Sequence, residues 1–102
     1  MTLVGQDVLR PIGRRNAPLR KWLTIWAKTV EDSIWHSLDD VRKGYPTADG
    51  VKLKSGVVVT VFNVKGNEYR LLTSVDYDAE IVEALDVLTH AEYDKELWKD
   101  RY

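Results

Sequence analysis

The stretch Val57–Val75, VVVTVFNVKGNEYRLLTSV, constrains the fold more than any other part of this chain. Two apolar runs rich in β-branched residues flank a short polar break, Lys65-Gly66-Asn67. Six of the eight residues Val57–Val64 are apolar, a composition that suits a buried, pleated surface. Glu68–Val75 alternates, with Tyr69, Leu71, Thr73 and Val75 on one side and Arg70, Leu72 and Ser74 on the other. Gly-Asn between two such runs predicts a β-hairpin, because both residues tolerate the positive φ of a tight turn. Arg70 then lies on the opposite sheet face from Tyr69, close to a loop that carries Asn63, Lys65 and Asn67.

At 102 residues the chain is expected to form a single domain, residues 1–102, with a modest core. There is no cysteine, which excludes a disulfide framework and thiolate chemistry. Two histidines make a His-rich metal site a poor expectation, and neither metal nor cofactor is predicted. No apolar run approaches a transmembrane length and no secretory leader pattern opens the sequence, so the expected location is cytoplasmic, away from any membrane. The net charge of −1 hides an asymmetry: residues 1–28 hold six Lys/Arg (Arg10, Arg14, Arg15, Arg20, Lys21 and Lys28) against one acid, Asp7. A basic end on an acidic body fits either a polyanion-facing surface or a well-solvated helix.

Helical patterning dominates the first half. Asp7 is placed to cap a helix reaching about Gly13, with Pro11 in its first turn. Asn16-Ala17-Pro18 restarts a helix on which Leu19, Trp22, Leu23, Trp26 and Val30 form one apolar stripe, assigning Trp22 and Trp26 to the core. Ser37 opens a short helix, Leu38–Lys43, with Leu38 and Val41 inward and Gly44 and Pro46 as stops. Met1–Val4 and Val51–Leu53 read as minor strands. After the hairpin and an Asp76–Ala79 turn, Glu80–Leu88 reads as a strand that alternates Val82, Ala84 and Leu88 against Ile81, Leu85 and Val87. Thr89 and Glu92 match a capping box for a last helix reaching about Lys99. The predicted class is α+β, with helices packed on one face of a small antiparallel sheet.

Three side chains invite chemistry, each with a plainer alternative. Arg70 offers a phosphate-matching fork or a surface ion pair with Glu68 or Glu80. His90 offers general acid–base catalysis or simple capping of its helix. Tyr93, one turn on, offers base stacking or core packing. The pairs Asp39/Asp40 and Asp76/Asp78 sit at a helix start and a turn, where capping explains them. No phosphate-cradling glycine loop, Ser-His-Asp order or metal-ligand spacing is present.

Two motifs together resemble the HigB-type toxins of the RelE-like superfamily: Phe62-Asn63-Val64 with Gly66, Asn67, Tyr69 and Arg70, then Thr89-His90 with Glu92, Tyr93 and Asp94. Trp35, Asp40-Val41, Tyr45-Pro46 and Ala48-Asp49 also fit, so the resemblance spans roughly residues 22–99. It implies a RelE-like fold with a short C-terminal helix. It also implies a metal-independent endoribonuclease that cuts translated mRNA on the ribosome through attack by the 2′-hydroxyl. The implied partners are the ribosome, mRNA and a HigA-like helix-turn-helix antitoxin, with operator DNA reached only through the antitoxin complex. By motif, Arg70 would stabilise the phosphorane, His90 would move a proton and Tyr93 would position the substrate. Asn63, Lys65, Asn67 and Lys95 would line the approach, and Arg14, Arg15, Arg20, Lys21 and Lys28 would contact RNA backbone. The family's last strand usually carries Lys or Arg five residues before the histidine; here that position is Leu85, beside acidic Glu83 and Asp86. This departure motivates the alternative of a catalytically weakened toxin-fold binding module that works through its antitoxin and operator complex.

Overall fold

The structure is a computed structural model that describes residues 1–13, 16–64 and 68–102. The hairpin forms as β3 (Val58–Val64) and β4 (Tyr69–Asp76), antiparallel with Asn63 opposite Arg70 and Phe62 opposite Leu71. Its Lys65-Gly66-Asn67 tip lies outside the described residues. β5 (Ile81–Thr89) pairs antiparallel with the other edge of β4, and β2 (Asp49–Lys52) pairs with β3. The fifth strand, β1 (Thr2–Val4), joins β5 in parallel, giving the order β1-β5-β4-β3-β2. The sheet is therefore mostly antiparallel, with one parallel edge, because β1 reaches its neighbour through the helical segment and not through a hairpin.

Helix α2 (Ala17–Glu31) is capped by Asn16, whose Oδ1 accepts from Leu19 N at 3.1 Å, and Pro18 sits in its first turn. Its stripe meets the sheet as the pattern requires: Leu19, Leu23, Trp26 and Val30 are buried, and Trp22 is half-buried. Trp26 meets Phe62 of β3 edge-on, with centroids 5.6 Å apart. α3 (Leu38–Gly44) adds Val41 and the half-buried Leu38 to this layer. The Ser37 side chain makes no capping bond; Asp40 Oδ2 instead accepts from His36 N at 2.9 Å. Asp7 is likewise no cap, because it lies inside a 3-10 turn, Gln6–Val8, that precedes the short α1 (Arg10–Gly13).

The opposite face of the sheet is also covered. Leu53, Val59, Val61, Leu72 and Leu88 form a second apolar cluster closed by Trp98. The expected continuous helix to Lys99 is broken to achieve this. α4 (His90–Asp94) stops short, Glu96 adopts φ 61°, and a 3-10 turn over Leu97–Asp100 brings Trp98 back onto the sheet. Trp98 is 1% exposed, whereas Leu97, expected one turn from Tyr93, is 67% exposed. Burying the indole outweighs the few helical bonds that continuation would add.

β5 departs from simple alternation. Leu72 pairs with Asp86 and Thr73 with Ala84, so Leu85 is an extra, bulged residue. The bulge inverts parity along the strand: Val82, Ala84 and Val87 face the helices, while Leu85 and Leu88 join the second cluster. The predicted grouping of Leu88 with Val82 and Ala84, and of Val87 with Leu85, is corrected by this one inserted residue.

Gly5 is the tightest backbone junction. Its φ is +79°, and a Cβ there would meet the Ala84 carbonyl oxygen at 2.5 Å. Gly5→Ala is expected to lower stability by more than about 1 kcal/mol, read as the shift in urea midpoint at unchanged slope. A change within experimental error would contradict this placement of β1 against β5.

Candidate active site

Arg70 sits one residue inside β4, with Asn63 of β3 and Leu88 of β5 as its register partners. This puts Arg70 and Asn63 on the face that carries Leu72 and Trp98, away from the helices. Three contacts among the described residues help hold the guanidinium. Nη1 donates to the Tyr69 carbonyl at 3.1 Å, Nη2 lies 3.3 Å from His90 Nδ1, and Cζ is 5.6 Å from the centroid of the Tyr93 ring. Arg70 is only 8% exposed.

Helix α4 (His90–Asp94) delivers the other two side chains. The Thr89–Glu92 box forms in full: Thr89 N donates to Glu92 Oε1 at 3.0 Å and Glu92 N donates to Thr89 Oγ1 at 3.1 Å. His90 N also donates to the Glu68 carbonyl at 3.0 Å, pinning the helix start to the approach of β4. These bonds set His90 over Arg70.

The proton on His90 follows from its neighbours. A guanidinium has donors and no acceptor, so Nδ1 must present its lone pair to Arg70. The ring proton then sits on Nε2, which faces Asp94 Oδ2 at 3.4 Å. Asp94 belongs to the sequence motif, but its orienting position was not drawn from it; its i,i+4 spacing from His90 was the available signal.

Tyr93 takes the packing role weighed for it. Its ring stacks on Trp98 at 5.2 Å and an 18° interplanar angle, and it also lies against Arg70. Burial first, and the nearby Asp49 carboxylate second, push its phenol above the ordinary tyrosine value. At neutral pH the hydroxyl keeps its proton and is available to donate.

The other predicted residues are placed less uniformly. Asn63 is half-buried beside Arg70. Lys95 is exposed and is the C-cap of α4. Arg20, Lys21 and Lys28 are exposed on α2, across the sheet from Arg70, and Lys28 lies 3.4 Å from Asp32. Arg14, Arg15, Lys65 and Asn67 lie outside the described residues. Among the described residues, no cluster of three His, Cys, Asp or Glu side chains could hold a metal ion, and no helix is long and apolar enough to cross a membrane.

A family model described as the RelE-like toxic component of a toxin–antitoxin system, the HigB toxin, matches residues 19–96. This chain belongs to the HigB toxin family. It is similar to the mRNA interferase toxin HigB of Escherichia coli (strain K12), with 26% identity over 94 residues, covering 92% of this chain and 88% of the relative. The same figures hold for the proteins named mRNA interferase HigB from Escherichia coli O157:H7 and Shigella flexneri. The HigB match takes in α2 to α4 and all of Arg70, His90, Tyr93 and Asp94, and it stops two residues short of Trp98.

Leu85, the position where the family resemblance led to an expected basic residue, packs partly buried against the second cluster. The C-terminal turn brings other cations to that face. Arg101 Nη1 lies 3.4 Å from Asp86 Oδ2, and Lys99 Nζ lies 5.9 Å from the Trp98 ring centroid. Neither was legible in the sequence, because both depend on the chain turning back at Glu96.

The capping box makes a separable prediction. Thr89→Ala is expected to cost about 1 kcal/mol, read by thermal unfolding. The Thr89 backbone N–H, then its hydroxyl, hold the Glu92 carboxyl below its ordinary value of 4.5. That stabilisation is present above 4.5 and is lost as pH falls through the lower folded value. Glu92→Gln should flatten this acid limb of the stability curve; an unchanged limb would contradict the assignment.

Proposed function

We propose that this chain is an endoribonuclease toxin that cleaves mRNA by attack of a ribose 2′-hydroxyl on the adjacent phosphorus. The observation that carries the reading is the convergence of Arg70, His90 and Tyr93 from β4 and α4 on one point of the sheet. It is supported by the family match and by the names of the similar proteins.

Each group has a role that its setting favours. The Arg70 guanidinium, fixed and largely out of water, offsets charge developing on the non-bridging oxygens of the pentacoordinate phosphorus. His90 Nδ1 carries the lone pair and accepts the 2′-hydroxyl proton once substrate separates it from Arg70, while Asp94 faces the proton on Nε2 and stabilises the imidazolium. Tyr93, held protonated by burial, donates to the phosphoryl group or to the departing 5′-oxygen. The P–O5′ bond breaks as the O2′–P bond forms, leaving a 2′,3′-cyclic phosphate and a 5′-hydroxyl. No step draws on a metal ion. Asn63 and Lys95 flank this centre; Lys65 and Asn67, from the hairpin tip, are proposed to complete it.

The partners follow from the same reading. A HigA-like helix-turn-helix antitoxin neutralises the toxin and carries it to operator DNA. The substrate is mRNA on the translating ribosome in the cytoplasm, with Arg14, Arg15, Arg20, Lys21 and Lys28 available to ribosomal RNA backbone. The packing of Leu85 against the second cluster favours one second reading, a toxin-fold binding module with weakened catalysis.

Induction in a bacterium lacking the antitoxin separates the two. Wild type is expected to arrest growth and cut translated transcripts. Arg70→Ala and His90→Ala should each reduce cleavage by about 10²-fold or more, with normal folding by tryptophan fluorescence. Wild-type induction that leaves growth and transcripts intact would overturn the enzyme reading. Tyr93→Phe keeps the Trp98 stack and removes only the hydroxyl, so full activity in this variant would remove Tyr93 from proton donation.

A further inference from the structure

The candidate active site and the basic helix α2 lie on opposite faces of the sheet, and a cavity opens on the helix side where β4 and β5 end. This cavity, of about 410 Å³, is lined by Asn16, Tyr69, Thr89 and Glu92 over the buried Leu19 and Val87. It adjoins the active site through the chain itself. Tyr69 and Arg70 are successive residues of β4 that point to opposite faces, and Tyr69 pairs with Thr89. Around the first turn of α4, Thr89 and Glu92 face the cavity, while His90 and Tyr93 meet Arg70.

The other end of the cavity leads to positive charge. Pro11 completes its lining, and the next groove along α1 and α2, of about 430 Å³, is bordered by Arg10 and Arg20. Those two arginines are the immediate chain neighbours of Pro11 and Leu19. A polyanion running from Arg70 toward Arg20 and Arg10 would pass this cavity on the way.

The cavity wall offers both a donor and an acceptor. Tyr69 Oη accepts from Asn16 Nδ2 at 3.2 Å, which leaves the phenol proton to donate. Glu92 uses Oε1 for the Thr89 N–H and carries a second oxygen, and its hydrogen bonds keep the carboxylate ionised at neutral pH. A carboxylate there repels phosphate but accepts from an exocyclic amine, as Glu does from cytosine. The volume suits one planar heterocycle.

We propose that this cavity receives one nucleobase of the single-stranded RNA flanking the scissile phosphate, with preference for an amine-bearing base, and that the backbone beyond it runs over Arg20 and Arg10. The inference rests on the ribonuclease reading of the active site and adds a specificity subsite to it. Asn16, Tyr69 and Glu92 are its positioning residues.

The test uses the full-length protein and 2′-O-methyl hexanucleotides of adenine, cytosine or uracil, which bind without being cut. Amide shifts on titration, with affinities by anisotropy, are the readouts. The expected result is that Asn16, Tyr69 and Glu92 shift together with Arg70 and His90, and that the adenine and cytosine strands bind more tightly than uracil. Tyr69→Phe, which keeps the ring, and Asn16→Ser, which keeps a capping oxygen, should each weaken binding about fivefold and narrow that preference. RNA that shifts Arg70 and His90 but not the cavity residues overturns the subsite and leaves the ribonuclease reading standing. Wild-type protein that binds none of the strands overturns the subsite; the ribonuclease reading is judged separately, by cleavage of transcripts on programmed ribosomes. Cavity residues that shift only with an antitoxin, and not with RNA, assign the cavity to that protein and overturn the proposal.

Discussion

Burial of strand β4 on both faces is the constraint on which the rest of the structure depends. Leu71 belongs to the cluster under α2 and Leu72 to the cluster under Trp98, and both are fully buried. A five-stranded sheet with cover on only one face would leave Leu72, Val61 and Leu88 in water. The C-terminal segment supplies the second cover, and in doing so it carries α4 to the edge of the sheet. The geometry of the candidate site is thus a by-product of how the second face is closed. A guanidinium placed under that cover must be satisfied where it lies, and the Tyr69 carbonyl, the His90 lone pair and the Tyr93 ring contribute to that.

Much of this was written locally in the sequence. Period-two alternation around the hairpin placed Arg70 opposite Tyr69, and the i, i+3, i+4 stripe from Leu19 to Val30 placed α2. The capping box fixed the start of α4 at Thr89. These features depend on a few neighbouring residues, so local chemistry decides them. What escaped depends on distant partners. The bulge at Leu85 is set by two-strand register and has no glycine to mark it. The parallel pairing of β1 needs the whole sheet, and the break at Glu96 needs the apolar surface that Trp98 covers. The orienting position of Asp94 becomes apparent only once Arg70 is known to claim the other nitrogen of His90.

The charge asymmetry is legible in the sequence, whereas its location is set by the fold. Arg20, Lys21 and Lys28 are held across the sheet from Arg70 on α2. Leu85 packs into the apolar closure of the second face. The cations near that face, Lys99 and Arg101, lie beyond the residues that match the family and are tied to Glu96 and Asp86. Among the described residues, the candidate site therefore presents a few well-fixed groups. On the proposed function, long-range attraction of RNA would fall to the exposed basic residues of α2.

The central claim concerns chemistry, and the chemistry leaves a permanent mark on its product. Attack by a 2′-hydroxyl ends one fragment in a 2′,3′-cyclic phosphate and begins the next with a 5′-hydroxyl, whereas water-driven hydrolysis with loss of O3′ leaves a 5′-phosphate and a 3′-hydroxyl. Sequencing the ends of transcripts cut by purified toxin on programmed ribosomes distinguishes the two. The arrangement of Arg70, His90 and Tyr93 predicts cyclic phosphate and 5′-hydroxyl ends; 5′-phosphate ends at the same sites would contradict it.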